Sequence, residues 1–110
     1  MDNAESASPA YYDAACEAID RSDFATAYQI CINAARQFEH AGAFRDASVA
    51  YHLLGGAAYQ AGELKDAESW YLKSLSLIEP PDEASQLDYS RTCSNLAAVV
   101  NALGEHGSAK

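Results

Sequence analysis

The fold is decided by residues 51–80, which read YHLLGGAAYQAGELKDAESWYLKSLSLIEP. In the first half, apolar or small residues recur three or four positions apart, a spacing that predicts one apolar face on a helix. These residues are Tyr51, Leu54, Gly55 and Ala58. The second half repeats this spacing from Leu64 onward. Gly62 lies between the halves, and glycine commonly occupies the left-handed position that ends a helix. The stretch therefore predicts two helices joined by a tight turn.

The rest of the chain predicts three more helices and no strand. Ser8-Pro9 has the form of a capping residue followed by proline in the first helical turn, and Ser22-Asp23 caps a second helix. Pro80-Pro81 ends the helix before it, and Asp82 can cap the last helix. Residues 1–7 contain little apolar surface and are predicted to be a flexible acidic tail. The predicted helices span residues 9–21, 23–40, 44–60, 63–78 and 82–103, with Gly104 ending the fifth.

One combination of turn and helix start occurs three times. The alanine that follows each turn recurs at intervals of 40 and 42 residues. A regular interval of this length predicts a stack of helix pairs. The three copies are Ser22-Asp23-Phe24-x2-Ala27, Gly62-Glu63-Leu64-x2-Ala67 and Gly104-Glu105-His106-x2-Ala109.

The central motif resembles the tetratricopeptide repeat. It reads Tyr51-x2-Leu54-Gly55-x2-Ala58, then Ala67-x3-Tyr71 and a closing Pro80. The interval exceeds the usual period of about 34 residues, and it is similar to the long-period type found in kinesin light chains, which the segment SRTCSNLAAVVNALGEH also resembles. Alanine stands at position 58, where the family prefers tyrosine. The resemblance implies an all-α, right-handed α-solenoid with two full repeats, residues 8–41 and 44–81, and a partial third, residues 82–110.

The resemblance also implies a binding site. In this family the first helix of each repeat lines a concave groove that holds a peptide, which directs attention to the first, third and fifth helices. Asparagine amides both donate and accept hydrogen bonds, an arginine can bind a carboxylate with two parallel bonds, and tyrosine offers a flat contact surface. The residues expected to line the groove are Tyr12, Cys16, Ile19, His52, Gly56, Tyr59, Gln60, Arg91, Ser94, Asn95, Ala98 and Asn101.

Composition narrows the class of partner. The chain carries 16 acidic and 7 basic residues, a net charge of −9, and its basic residues are scattered singly. Nucleic-acid binding usually requires clustered lysine and arginine, so a neutral or basic protein partner is expected instead. No apolar run approaches the roughly 20 residues of a membrane span, and the acidic N-terminus differs from a signal peptide. A cytoplasmic location without membrane contact is therefore expected.

Catalysis and metal binding have little support in the sequence. The three cysteines show no CxxC spacing and the three histidines are far apart, so no metal site or cofactor is predicted. Cys31 and Cys93 lie on apolar faces and are expected to be buried. The apolar face expected on the fifth helix comprises Leu87, Cys93, Leu96, Val100 and Leu103. Cys16 could pair with His52 as nucleophile and base, but a third, orienting group is lacking. A non-catalytic protein-interaction module is the expected function.

Two alternatives remain open at this stage. One is a small acidic chaperone that holds an unfolded client in the same groove. The other is a self-associating oligomerisation unit, because the third repeat stops where its second helix should begin. The apolar residues of the last helix would then be left for a second copy, or for the continuation of a longer repeat array. The residues concerned are Leu96, Val100 and Leu103.

Overall fold

The computed structural model of this chain is all-α, as predicted. It describes the backbone of residues 3–108 and the side chains of residues 10–83 and 85–104, and it contains no strand within that part. A short 3-10 turn, Glu83–Ser85, leads directly into the last helix. The helices are α1 (Asn3–Asp20), α2 (Phe24–His40), α3 (Phe44–Gln60), α4 (Leu64–Leu77) and α5 (Gln86–Ser108).

The first four helices are joined by three turns of the same geometry. Ser22, Gly42 and Gly62 occupy the left-handed region, with φ angles of 61°, 77° and 83°. After each of them, a backbone N–H donates 2.8 Å back into the preceding helix, from residue 23 to 18, from 43 to 38 and from 63 to 58. This is the six-residue closure of a Schellman motif. The same turn therefore recurs every 20 residues.

Two aspartates cap helices as the sequence predicts. The Asp23 carboxylate accepts a hydrogen bond from the backbone N–H of Thr26 at 3.4 Å. The Asp82 carboxylate accepts one from the backbone N–H of Ser85 at 2.9 Å, and so caps the 3-10 turn that precedes α5. Each cap satisfies one of the backbone donors that the first turn of a helix leaves without a partner.

Small residues allow the helices to approach closely. Each helix packs against its neighbours in the chain. The alanines that follow the three turns, Ala27, Ala47 and Ala67, are fully buried. Gly55 packs against the ring of Tyr71, where an added Cβ would lie only 2.5 Å from the Cε1 atom. The core is therefore built from close helix contacts as much as from large side chains.

A pair of buried serines joins α3 to α4. Ser48 Oγ donates to the Ser74 carbonyl at 2.9 Å, and Ser74 Oγ donates to the Ser48 carbonyl at 2.8 Å. Both side chains are nearly inaccessible to solvent. Because a buried hydroxyl must be hydrogen-bonded, this reciprocal pair fixes how the two helices lie against each other.

The first helix begins earlier than predicted. α1 starts at Asn3, so most of the segment predicted as a flexible tail is helical, and residues 1–2 lie outside the described part. The prediction assumed that proline takes the first helical position. Pro9 instead lies within the helix, where it leaves one backbone hydrogen bond unmade.

The third predicted turn does not form. α5 continues through Gly104 to Ser108. Gly104 lacks the positive φ angle found at Gly42 and Gly62, and an added Cβ there would meet nothing within 4 Å. Glycine permits the left-handed conformation but does not require it, so its presence alone does not end a helix.

The buried face of α5 also differs from the prediction. Thr92 and Val99 are buried, while Leu87 and Val100 are 62% and 46% exposed. Cys93 is exposed as well, whereas Cys31 is buried as predicted. The helix is therefore rotated relative to the orientation that its most apolar residues suggest.

Candidate functional site

Helices α1, α3 and α5 together line a concave groove with a volume of about 270 Å³. α3 supplies the central strip, because α1 and α5 each contact it. Tyr71 reaches the groove from α4. We call this surface the α1–α3–α5 groove, and it is lined by Tyr12, Cys16, Ile19, Asp20, His52, Leu53, Gly56, Gln60, Tyr71 and Asn95.

The groove continues along α5. A shallower depression of about 340 Å³ surrounds Arg91, with hydroxyl and amide groups next to it. A narrow cavity of about 70 Å³ joins Arg91 to Tyr12 across α3. The depression shares two residues with the groove, and its lining is His52, Ser90, Arg91, Ser94 and Asn95.

Most of the residues expected in the groove are brought together there. Of the twelve, the exceptions are Tyr59, Ala98 and Asn101, which line none of these three cavities. Tyr59 is 43% exposed near Tyr71, and Asn101 is exposed further along α5. The residues that do line the surface are Tyr12, Cys16, Ile19, His52, Gly56, Gln60, Arg91, Ser94 and Asn95.

His52 links α3 to α5 through both of its ring nitrogens. Nδ1 lies 2.7 Å from Thr92 Oγ1, and Nε2 lies 3.2 Å from Asn95 Nδ2. An amide nitrogen can only donate, so Nε2 accepts and the neutral ring carries its proton on Nδ1. Burial lowers the pKa of His52, with a smaller opposing effect from Asp88 and a further lowering by Arg91. His52 is therefore a neutral structural link at the side of the groove.

The groove surface beside His52 combines an aromatic ring with an open glycine. The rings of His52 and Tyr71 meet edge to face, with centroids 5.4 Å apart. Burial raises the pKa of Tyr71, Tyr59 raises it further, and a hydrogen bond with Asn95 acts in the opposite direction. An added Cβ on Gly56 would meet only the Tyr71 hydroxyl, at 3.7 Å. Gly56 therefore leaves room between helices that a larger side chain would fill.

The surroundings of Cys16 favour its protonated thiol. Burial raises its pKa, and the nearby carboxylates of Asp20 and Asp13 raise it further. Reactive cysteines show the opposite shift, because a neighbouring positive charge or a helix N-terminus stabilises the thiolate. The environment of Cys16 thus favours a contact role over a chemical one.

Opposite charges lie at the two ends of the groove. Arg45 Nε lies 3.4 Å from Asp88 Oδ2, so that pair is internally neutralised. Arg91, next to it, makes no hydrogen bond or ion pair within the described residues. At the far end, Asp20 likewise has no ion-pair partner in that part of the chain. The groove therefore presents one guanidinium and one carboxylate that are free for a ligand.

Sequence reasoning missed several residues of this site, among them Asp20 at one end of the groove. Thr92 is buried against His52, Asp88 neutralises Arg45, and Tyr71 reaches the groove from α4. Asp88, Thr92 and Asn95 do recur at helical spacing on α5. That spacing could have indicated a polar face, but apolar periodicity outweighed it.

Metal binding and membrane insertion find no support in the described residues. No three histidine, cysteine, aspartate or glutamate side chains among them are grouped so that they could hold a metal ion. None of the helices there combines the length and the apolar character needed to cross a membrane.

The chain matches no protein-family model, and comparison with curated proteins and with solved structures gives no significant match.

Proposed function

We propose that this chain is a non-catalytic protein-interaction module of the tetratricopeptide type, which binds a peptide or partner segment in the α1–α3–α5 groove. The observation that carries the proposal is the convergence of three non-consecutive helices on one groove whose guanidinium and carboxylate have no internal partner. Hydroxyl, amide and aromatic groups stand beside them, and such groups are common where proteins bind peptides.

The repeated turn supports the solenoid arrangement. Three-residue links and contacts between successive helices are features of stacked helix pairs. The pattern of Tyr51, Leu54 and Gly55, which resembles the tetratricopeptide repeat, lies on α3 at the centre of the groove. The acidic composition favours a neutral or basic partner in the cytoplasm.

A blocking substitution tests the groove. Gly56→Leu introduces a good helix former at a site with room for its Cβ, and it projects a side chain between α1 and α5. Ala25→Leu on the exposed surface of α2 is the matched control, because it adds the same side chain away from the groove.

The measurement is affinity capture from the source cell lysate with the wild-type chain and both variants, each checked for folding by circular dichroism. We expect wild type and Ala25→Leu to retain a partner that Gly56→Leu loses. Equal capture by all three folded proteins would show that the groove is not the binding site.

A self-associating module is the second candidate, because α5 exposes Leu87, Cys93 and Val100. Leu96 and Leu103, which were expected to contribute to a dimer interface, instead pack partly buried against Ala58, Ala67 and Val99. A dimer would therefore use Val100 and its exposed neighbours. Sedimentation equilibrium of wild type and Val100→Glu distinguishes the candidates. A wild-type dimer that the Val100→Glu substitution dissociates would support self-association. A monomeric wild type would rule self-association out.

A further inference from the structure

The groove lining advances in the same direction on all three helices. One end contains Tyr12 of α1, Ser48 of α3 and Arg91 of α5. The other contains Asp20 of α1 and Gln60 of α3. At about 1.5 Å per residue, the eight positions from Tyr12 to Asp20 correspond to about 12 Å along α1. Arg91 and Asp20 therefore lie at two ends of one surface that are offset by about 12 Å along the helix axes, and they are further separated by the width of α3, which lies between α1 and α5.

The Arg91 end is suited to a carboxylate. Arg91 can donate two parallel hydrogen bonds, and Ser94 lies on the same depression as a further donor. The only carboxylate lining the adjoining cavity, Asp88, is already paired with Arg45. The positive charge of Arg91 is thus not cancelled by its nearest acidic neighbour.

The Asp20 end is suited to a cation. Asp20 lies in the last turn of α1, and Gln60 is the last residue of α3, so the negative ends of two helix dipoles are directed here. Asp20 and Asp13 both act on the thiol of Cys16, which shows that their negative potential reaches into the groove. Ile19 and Leu53 offer apolar surface to the stem of a long basic side chain.

We propose that the groove selects an extended peptide segment that carries one carboxylate and one cationic side chain four or more residues apart. The inference rests on the proposed function and specifies its ligand. An extended strand rises about 3.3 Å per residue, so four residues span about 13 Å and place both side chains on the same side. Gln60 and Asn95 can bond to the free backbone groups of an extended chain, whereas a helical ligand satisfies its own.

The test uses fluorescein-labelled dodecapeptides with a serine–threonine host sequence and one glutamate and one lysine, separated by one to seven positions. Peptides with two glutamates or two lysines at the same positions complete the set. Fluorescence anisotropy of the wild-type chain is expected to give about tenfold tighter binding for a mixed pair at one of the separations from four to seven than for the same pair adjacent, since one added charged hydrogen bond has this size.

Charge reversal at the two ends provides the decisive comparison. Arg91→Glu should shift the preference to two lysines, and Asp20→Lys should shift it to two glutamates. The double variant should restore the preference for the mixed pair, because a peptide can bind in either direction. Wild-type affinities that do not depend on the charge pair, or variants that keep the wild-type ranking, would overturn the inference.

The Gly56→Leu variant separates this inference from the function on which it rests. If Gly56→Leu abolishes peptide binding while the charge variants leave the ranking unchanged, the groove binds peptides and only the charge-pair inference fails. If the peptides bind Gly56→Leu as well as they bind the wild type, or bind neither protein, both proposals fail.

Discussion

At the scale of single residues, the adjacent glycines Gly55 and Gly56 meet different surroundings. A Cβ on Gly55 would lie 2.5 Å from the buried ring of Tyr71, whereas a Cβ on Gly56 would meet only the Tyr71 hydroxyl at 3.7 Å. The ring cannot move aside easily, because His52 packs against it. Gly55 is therefore required by the fold, and Gly56 is free to serve the groove.

We expect Gly55→Ala to lower the free energy of unfolding by about 2 kcal/mol, the usual cost of overpacking a core. Gly56→Ala should raise it by about 0.5–1 kcal/mol, because alanine is the better helix former. Urea unfolding followed by circular dichroism measures both. Similar changes for the two variants would show that Tyr71 does not pack on Gly55 as described.

His52 makes stability depend on pH. Burial lowers its pKa from the ordinary value of 6.5, so the unfolded chain binds a proton more readily than the folded chain does. The folded state therefore keeps its full stability above the unfolded pKa of 6.5 and loses stability as the pH falls from there through the lower pKa of the folded chain. We expect wild type to lose more unfolding free energy than His52→Gln between pH 7.5 and pH 5.

Two charged side chains near His52 have opposite effects on its pKa. Asp88 raises the pKa and Arg91 lowers it, but burial is the largest effect. Thr92, Asn95 and the ring of Tyr71 are neutral neighbours in this pH range. Urea titrations at several pH values give the free energy of unfolding as a function of pH for wild type and for His52→Gln. If that free energy changes equally with pH in both proteins, His52 is not the group responsible.

At the scale of helices, the serine pair between α3 and α4 should act as a unit. Ser48→Ala or Ser74→Ala removes one donor and leaves the partner serine with an incomplete set of hydrogen bonds, at a cost of about 1–3 kcal/mol. The double variant should cost less than the two single changes together, because the contact between the two Oγ atoms, 2.8 Å apart, is lost in each single variant but is lost only once in the double variant. A double-mutant cycle in urea measures this coupling, and additive costs would contradict it.

The sequence predicted helices α2, α3 and α4 well because their signals are local. Gly42 and Gly62 mark turns by their conformational freedom, and Asp23 and Asp82 act as caps within three residues of their partners. Helix α5 was predicted less well, because its orientation depends on a contact 40 residues away between His52 and Thr92. A prediction from apolar periodicity does not count threonine as a core residue. It therefore placed Leu87 and Val100 on the buried face of α5, whereas the structure buries Thr92 and exposes those two residues.

The candidate site was predictable in part for the same reason. Helical spacing placed Tyr12, Cys16 and Arg91 on one side of their helices, and the structure brings them to the groove. Spacing could not show that Tyr71 reaches the groove from another helix. Nor could it show that the Asp88 carboxylate is already neutralised by Arg45.

At the scale of the whole molecule, the described chain is elongated, with dimensions of 55 × 33 × 19 Å. α1 and α5 contact α3 far less than α2 and α4 do, so the walls of the groove are held less firmly than its central strip. A ligand that bridges α1 and α5 should therefore stabilise the fold as well as occupy the groove.

We expect the mixed-charge peptide, at 100 times its dissociation constant, to raise the free energy of unfolding by about 2.7 kcal/mol. Hydrogen exchange should slow in α1 and α5 more than in α4, because those two helices gain contacts. Gly56→Leu, which fills the groove, should show neither effect at the same peptide concentration. A uniform slowing along the chain would indicate binding elsewhere.

The identical turns at Ser22, Gly42 and Gly62 would allow a segment of this chain to be repeated without changing the junctions between helices. Asp23 and Glu63 each close one turn and open the next helix, so residues 24–63 begin and end at equivalent junctions. A second copy of that segment placed after Glu63 would meet both neighbours at a junction they already use. We expect such a duplication to lengthen the groove by one helix, so that the span between bound charges could be set by gene duplication while each turn stays as it is.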